Sequence, residues 1–203
     1  MEKHFFIFRH GQTVWNAEGR PHGQDPYPVP LTMVGQEQVR QLADKLKDKN
    51  IELIISSDQL RAEQTSKIIA EKINVEIIYI PALREVDYGK LNGLYSLERE
   101  DVYPEYKKCY QDYSFPFPEG ESFAEAAKRF QQALEETANQ YPCQNIAVST
   151  HGNVVDVFLE IIFDKKYQKV GNCEFVHISY DTDLKKFTPI DMPPDYIFYP
   201  KNS

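Results

Sequence analysis

FIFRHGQTVWN, Phe6 to Asn16, begins as a buried strand and ends as something else. The apolar run His4 to Phe8 shows no polar alternation, so both of its faces are expected to be covered. It stops on Arg9, His10 and Gly11. A cation, a protonatable ring and a residue without a Cβ do nothing for a core. A related arrangement returns at three later strand ends, and the reading of the whole chain turns on that recurrence.

Outward from this stretch, apolar runs alternate with helical patterns. Strands are expected at Ile51–Ser57, Val75–Ile80 and Asn145–Thr150, with a closing pair in EFVHISYD and KKFTPI. Helices are expected in GQEQVRQLADKLKDK, with Val39, Leu42 and Leu46 on one face and Thr32 as N-cap, and in QLRAEQTSKIIAEKI. A third falls in ESFAEAAKRFQQALEETANQ, where Ser122 and Glu125 make a capping box, and a short apolar one in VVDVFLEIIF. Strands alternating with helices predict an α/β fold whose mostly parallel sheet is covered on both faces. Without a repeat or linker, residues 1–203 read as a single domain. Gly89 to Gly120, rich in Tyr, Phe, Pro and Glu, reads as an insertion with one helix over the site. The Pro-rich tail DMPPDYIFYPKNS is expected to pack along the surface or fray.

Composition sets limits. The chain has 203 residues, enough for one sizeable core. No apolar run approaches the roughly 20 residues of a membrane span. The net charge of −8 argues against nucleic acid and anionic membrane as partners. Cys109, Cys143 and Cys173 form no CxxC pair, which predicts neither a disulfide framework nor a zinc ribbon and fits a reducing cytoplasm.

In open α/β sheets ligands bind beyond the carboxyl ends of the strands. The first strand is followed by Arg9-His10-Gly11, the second by SSDQLRAEQT with Arg61, the third by Arg84-Glu85, and the fourth by His151-Gly152-Asn153. Topology alone therefore gathers two His, at least two Arg and one Glu on one rim. Guanidinium forks match phosphate oxygens. A neutral imidazole can attack phosphorus, and a carboxylic acid can protonate the leaving oxygen. Singly, each residue has a plainer role: a hydrogen-bonded His, a solvated Arg, or a Glu85 paired with Arg84 or Arg61. A metal site from His10, His151 and Glu85 is the competing chemistry, and Arg9 and Arg61 oppose it by repelling a divalent cation.

FRHGQTVWN, SSDQLRAEQT, LREVDYG, PEGES and STHGN, in this order, resemble the histidine phosphatase superfamily, the phosphoglycerate mutase-like enzymes. The resemblance implies a three-layer α/β/α sandwich on a mixed sheet. It implies that His10 is the phosphorylated nucleophile, that Arg9, Arg61 and His151 hold the phosphoryl oxygens, and that Glu85 donates and accepts the proton. Asn16, Gly152 and Asn153 would add hydrogen bonds, and Gln24 sits where the family often places a further contact. No metal and no cofactor are implied. Two departures stand out. The family's aromatic and acid after LREVDYG are replaced by Leu91 and Asn92, positions nearer to packing than to chemistry. The insertion is short and lacks the adjacent Arg pair with which mutases hold a distal anion.

The expected function is therefore a metal-independent phosphomonoesterase acting on small phosphorylated metabolites through a phosphohistidine. A cofactor-dependent phosphoglycerate mutase and a non-catalytic phospholigand-binding module are the alternatives. A homodimer is compatible with the sequence. His4 and His177 read as sheet-face residues, His22 as lining the mouth of the site or lying in its loop, and Trp15 as a packing residue that fixes the loop of Asn16. The aromatics from Tyr103 to Phe117 read mainly as the insertion's own small core.

Overall fold

The computed structural model describes residues 1–24, 27–166, 169–192 and 199–200. In chain order the elements are β1 (Glu2–Arg9), α1 (Val14–Ala17), α2 (Met33–Leu46), β2 (Leu53–Ser56), α3 (Leu60–Ile73) and β3 (Ile77–Tyr79). Then come α4 (Ser96–Val102), α5 (Lys107–Gln111), α6 (Phe123–Gln140), β4 (Asn145–Thr150), α7 (Gly152–Phe163), β5 (Lys165–Lys166), β6 (Phe175–Asp181), β7 (Lys186–Asp191) and β8 (Tyr199–Pro200). Six strands form one sheet in the order β3-β2-β4-β1-β6-β7, and β5 pairs with β8. The pairs β1–β4, β4–β2 and β2–β3 are parallel, while β6 and β7 run antiparallel. The mostly parallel mixed sheet read from the sequence is present.

The layers follow from the two-residue period of a strand. Phe5 and Ile7 of β1 join Ile55, Val148, Phe130, Leu134 and Phe158 in a core beneath α6 and α7. Phe6 and Phe8, pointing the other way, join Ile54, Ala147, Val39, Leu42 and Ile69 beneath α2 and α3. Both faces of the strand are thus covered, which is why its sequence shows no alternation. Each such side chain contributes about 1.5–3 kcal/mol on full burial. The N-caps behave as expected: Thr32 accepts from Gly35 N–H at 2.9 Å, and Ser122 from Glu125 N–H at 3.1 Å.

Three expectations need correction. The insertion carries two helices, α4 and α5, rather than one, because Pro104 holds Tyr103 extended between them (φ −150°, ψ 85°). Of its aromatics Tyr106 and Phe117 pack inward, Phe117 lying 4.9 Å from Tyr88 and 5.2 Å from Phe123 between ring centroids, while Tyr95 and Tyr110 stay exposed. Strand β3 is shorter than its apolar run, and α7 begins at Gly152, before that run starts. The Pro-rich tail falls largely in residues 193–198 and 201–203, outside the described residues. Among the described residues no helix is long and apolar enough to cross a membrane.

Candidate active site

Because β1, β2, β3 and β4 are mutually parallel, their carboxyl ends lie on one side of the sheet. The loop after β1 is held tightly there. A Cβ on Gly11 would come within 2.7 Å of the Gly35 carbonyl oxygen, and Gly11 N–H donates to Thr65 Oγ1 at 3.1 Å. Only a residue without a side chain allows this approach.

His10 is fully buried at the end of β1. Its Nδ1 lies 2.7 Å from the Gly11 carbonyl oxygen, which can only accept, so Nδ1 carries the proton and Nε2 the lone pair. Arg61 Nε–H points at that lone pair from 3.2 Å and at His151 Nδ1 from 3.1 Å. His151 therefore accepts at Nδ1, and its Nε2–H donates to Ser57 Oγ at 2.8 Å. Both rings are held neutral, well below the ordinary imidazole range. Burial is the main cause for each, followed by the nearby Arg61 guanidinium.

Arg9 reaches the same place from β1. Its Nη1 donates to the Val170 carbonyl at 3.2 Å, while its buried Nε has no partner among the described residues. The guanidinium lies across Gly152, where a Cβ would sit 3.3 Å from Nε. Glu85 is more deeply buried than Arg9. Its Oε1 accepts from Val86 and Val154 N–H at 2.9 and 2.8 Å, and its Oε2 from Asn153 N–H at 3.1 Å. Glu85 thereby caps the first turn of α7, whose N-cap His151 offers no side-chain bond. Arg84 does not pair with Glu85; it turns to Asp58 with two bonds of 2.6 and 2.5 Å.

A cavity of about 380 Å³ opens over these groups. Arg9, His10, Asn16, Glu85, Gly152 and Asn153 line it. His151 is fully buried behind His10. Arg61 and Gln24 instead line a neighbouring cleft of about 340 Å³. There Arg61 Nη2 donates to the Gly23 carbonyl at 3.0 Å, and Gln24 Nε2 to the Glu85 carbonyl at 2.9 Å. His22 does line the main cavity. It stacks on Trp15 at 4.8 Å, lies 2.6 Å from Thr13 Oγ1, and is pushed down to about 3, first by burial and then by Arg61 and Arg9. Among the described residues that line the cavity, none comes from 89–120. Among the described residues no group of three or more His, Cys, Asp or Glu is placed to hold a metal ion.

Several participants escaped the sequence reading. Arg20, Asp156, Lys169 and Asn172 also line the cavity. Arg20 is held by Trp15, 4.1 Å beneath its guanidinium carbon, and by an Nε–H bond to the Gly93 carbonyl. Asn172 donates to the His10 carbonyl at 2.8 Å. Arg129 fixes the Glu85 loop, donating to the carbonyls of Ala82, Arg84 and Glu85 at 2.7, 2.8 and 2.9 Å while paired with Glu121. Glu121 precedes the N-cap of α6 while Arg129 lies inside that helix, so no periodicity in the sequence marked the pair. Asn92 accepts from the backbone N–H groups of Tyr88 and Gln24, so it ties two loops together and has no direct chemistry.

The family profile of the histidine phosphatase superfamily (branch 1) matches residues 5–189. The chain belongs to this superfamily. A curated relative, "Probable phosphoglycerate mutase GpmB" of Yersinia enterocolitica, is 30% identical over 182 residues, 86% of this chain and 84% of that protein. The same-named protein of Escherichia coli O1:K1 is 31% identical over 186 residues, 88% of this chain and 86% of its own. A mycobacterial glucosyl-3-phosphoglycerate phosphatase superposes with a TM-score of 0.81 at 21% identity, covering 94% of this chain and 98% of that one. The alpha-ribazole phosphatase of Shigella flexneri gives 0.79 at 22% identity, over 96% and 98%. These superpositions place the α/β sandwich within the histidine phosphatase fold.

Proposed function

We propose that this chain is a metal-independent phosphomonoesterase that acts on small phosphorylated metabolites through a phosphohistidine at His10. The observation that carries the reading is the locked tautomer of His10: the Gly11 carbonyl holds the proton on Nδ1 and leaves the Nε2 lone pair beside the Arg61 guanidinium. In the first step Nε2 attacks phosphorus and the ester P–O bond breaks. Arg9 and Arg61 hold the phosphoryl oxygens, and His151, its ring nitrogens bonded to Arg61 and Ser57, holds Arg61 in place. The departing alkoxide takes a proton from Glu85. Two backbone N–H groups occupy Oε1 and only one occupies Oε2, so Oε2 is the oxygen assigned to that transfer. In the second step Glu85 removes a proton from water, the water oxygen attacks phosphorus, the N–P bond breaks, and inorganic phosphate leaves with His10 neutral again.

Phosphoglycerate mutase activity is the second reading. The names of the curated relatives and the cations Arg20 and Lys169 on the cavity wall favour it. Against it, the cations of the insertion are engaged elsewhere: Lys107 pairs with Glu100, Lys108 pairs with Glu105, and Arg99 is buried with its Nε on the Leu94 carbonyl. A non-catalytic module is disfavoured because no chemical role is vacant. The test is phosphate release from a panel of esters, run beside 3- to 2-phosphoglycerate interconversion with 2,3-bisphosphoglycerate supplied. Release from several esters, an acid-labile phosphoenzyme, and loss of both in His10→Ala are expected. Efficient interconversion with negligible release overturns hydrolysis in favour of the mutase.

A further inference from the structure

Asp156 lines the cavity but has no part in the chemistry above. It lies on α7, one turn beyond Gly152, and is 7% exposed. Its Oδ1 accepts from Val170 N–H at 3.0 Å, and the carbonyl of that same residue accepts from Arg9 Nη1 at 3.2 Å. Asp156, the Val170 peptide and Arg9 therefore form one connected chain. The other anchors of the segment act close by: Cys173 N–H donates to the Arg9 carbonyl at 3.1 Å, and Asn172 to the His10 carbonyl at 2.8 Å. Segment 170–173 is thus the wall against which Arg9 and His10 are set, and α7 holds that wall through Asp156.

We infer that Asp156 is a positioning residue: by fixing the Val170 peptide it sets the guanidinium of Arg9 for the phosphoryl group. The inference rests on the reading that Arg9 holds that group. Arg9 needs such help. It sits across Gly152 with a buried Nε that has no acceptor among the described residues, so the Val170 carbonyl is the side-chain contact that fixes its plane. A fork binds an oxyanion through two parallel bonds only when its plane is fixed. The Val170 carbonyl supplies a fixed contact to Nη1, and it stays where it is because the N–H of the same residue is held by the carboxyl of Asp156. An asparagine at 156 keeps a carbonyl acceptor for Val170, and an alanine does not.

The test measures binding of inorganic phosphate by calorimetry to the wild type, Asp156→Ala, Asp156→Asn, Arg9→Ala and the double variant Arg9→Ala/Asp156→Ala. Asp156→Ala is expected to weaken phosphate about tenfold, the size of effect typical of coupled side chains, and Asp156→Asn to restore most of it. In the Arg9→Ala background the second substitution is expected to do nothing more. A merely structural role would instead give losses that add. In turnover, KM is expected to rise more than kcat falls, because Arg9 holds the phosphoryl group in ground and transition states alike. If Asp156→Ala does not fold, Asp156→Ser takes its place in both backgrounds, its shorter side chain ending before Val170. Additive losses, or unchanged phosphate affinity in Asp156→Ala, overturn the inference. A wild type that binds no phosphate overturns the functional reading, and this inference with it.

Discussion

Acidification from pH 6.5 to 4.5 should destabilise this protein steeply, and the slope can be worked from its buried groups. His10, His151 and His22 are all held neutral by burial and by arginine neighbours, His22 down to about 3. Unfolded, each takes up a proton below about pH 6.5. A folded pKa below the unfolded one contributes stability that is present above about pH 6.5 and lost as pH falls. Asp156 works in the opposite direction. Burial, its main cause, raises it to about 7, so it releases a proton on unfolding across the same window. Its contribution is present below its ordinary value and lost as pH rises through about 7. These three histidines take up protons and Asp156 releases one, a net uptake of about two to which His177, also lowered by burial, can only add, and two protons correspond to roughly 3 kcal/mol per pH unit. Over two units that approaches the whole stability of a typical domain, about 5–15 kcal/mol. The assay is urea unfolding at half-unit steps from pH 7.5 to 4.5, at fixed ionic strength and without phosphate. His22→Gln should lower the slope by about one proton's worth, on the order of 1 kcal/mol per pH unit. A wild-type slope below that of a single proton, or ring resonances of these histidines titrating near pH 6.5 in the folded protein, would refute the reasoning.

Glu85→Gln should slow hydrolysis of alkyl phosphates by about a hundredfold or more while costing p-nitrophenyl phosphate far less, because that leaving group scarcely needs a proton. Equal losses on the two substrates would make Glu85 only the cap of α7. Gly152→Ala brings a Cβ to 3.3 Å from Arg9 Nε and 3.5 Å from its guanidinium carbon, so Arg9 must shift by tenths of an ångström. The expected result is KM raised about tenfold with little change in melting temperature, and an unchanged KM would show that Arg9 does not hold substrate in this pose. Dialysis against EDTA should leave phosphate release unchanged. Activity lost to EDTA and restored by Zn²⁺ or Mg²⁺ would return His10, His151 and Glu85 to the metal reading.

The sequence by itself determined the sheet and the rim of the site. The unalternated run at Phe5–Phe8 required cover on both faces, and parallel strands send their carboxyl ends to one side, so Arg9, His10, Glu85 and His151 had to meet. Those are local patterns joined by one rule of topology. Position in space decided the rest. Arg20 and Lys169 belong to the cavity wall only because loops bring them there. Arg129 acts on Glu85 through backbone carbonyls, which any residue supplies and no motif marks. The tautomer of His10 hangs on the Gly11 carbonyl, and the link from Asp156 to Arg9 runs through the peptide of Val170. A side chain's type is written in the sequence, but the backbone groups it meets carry no residue code, and only the folded chain decides which of them lie within a hydrogen bond of it.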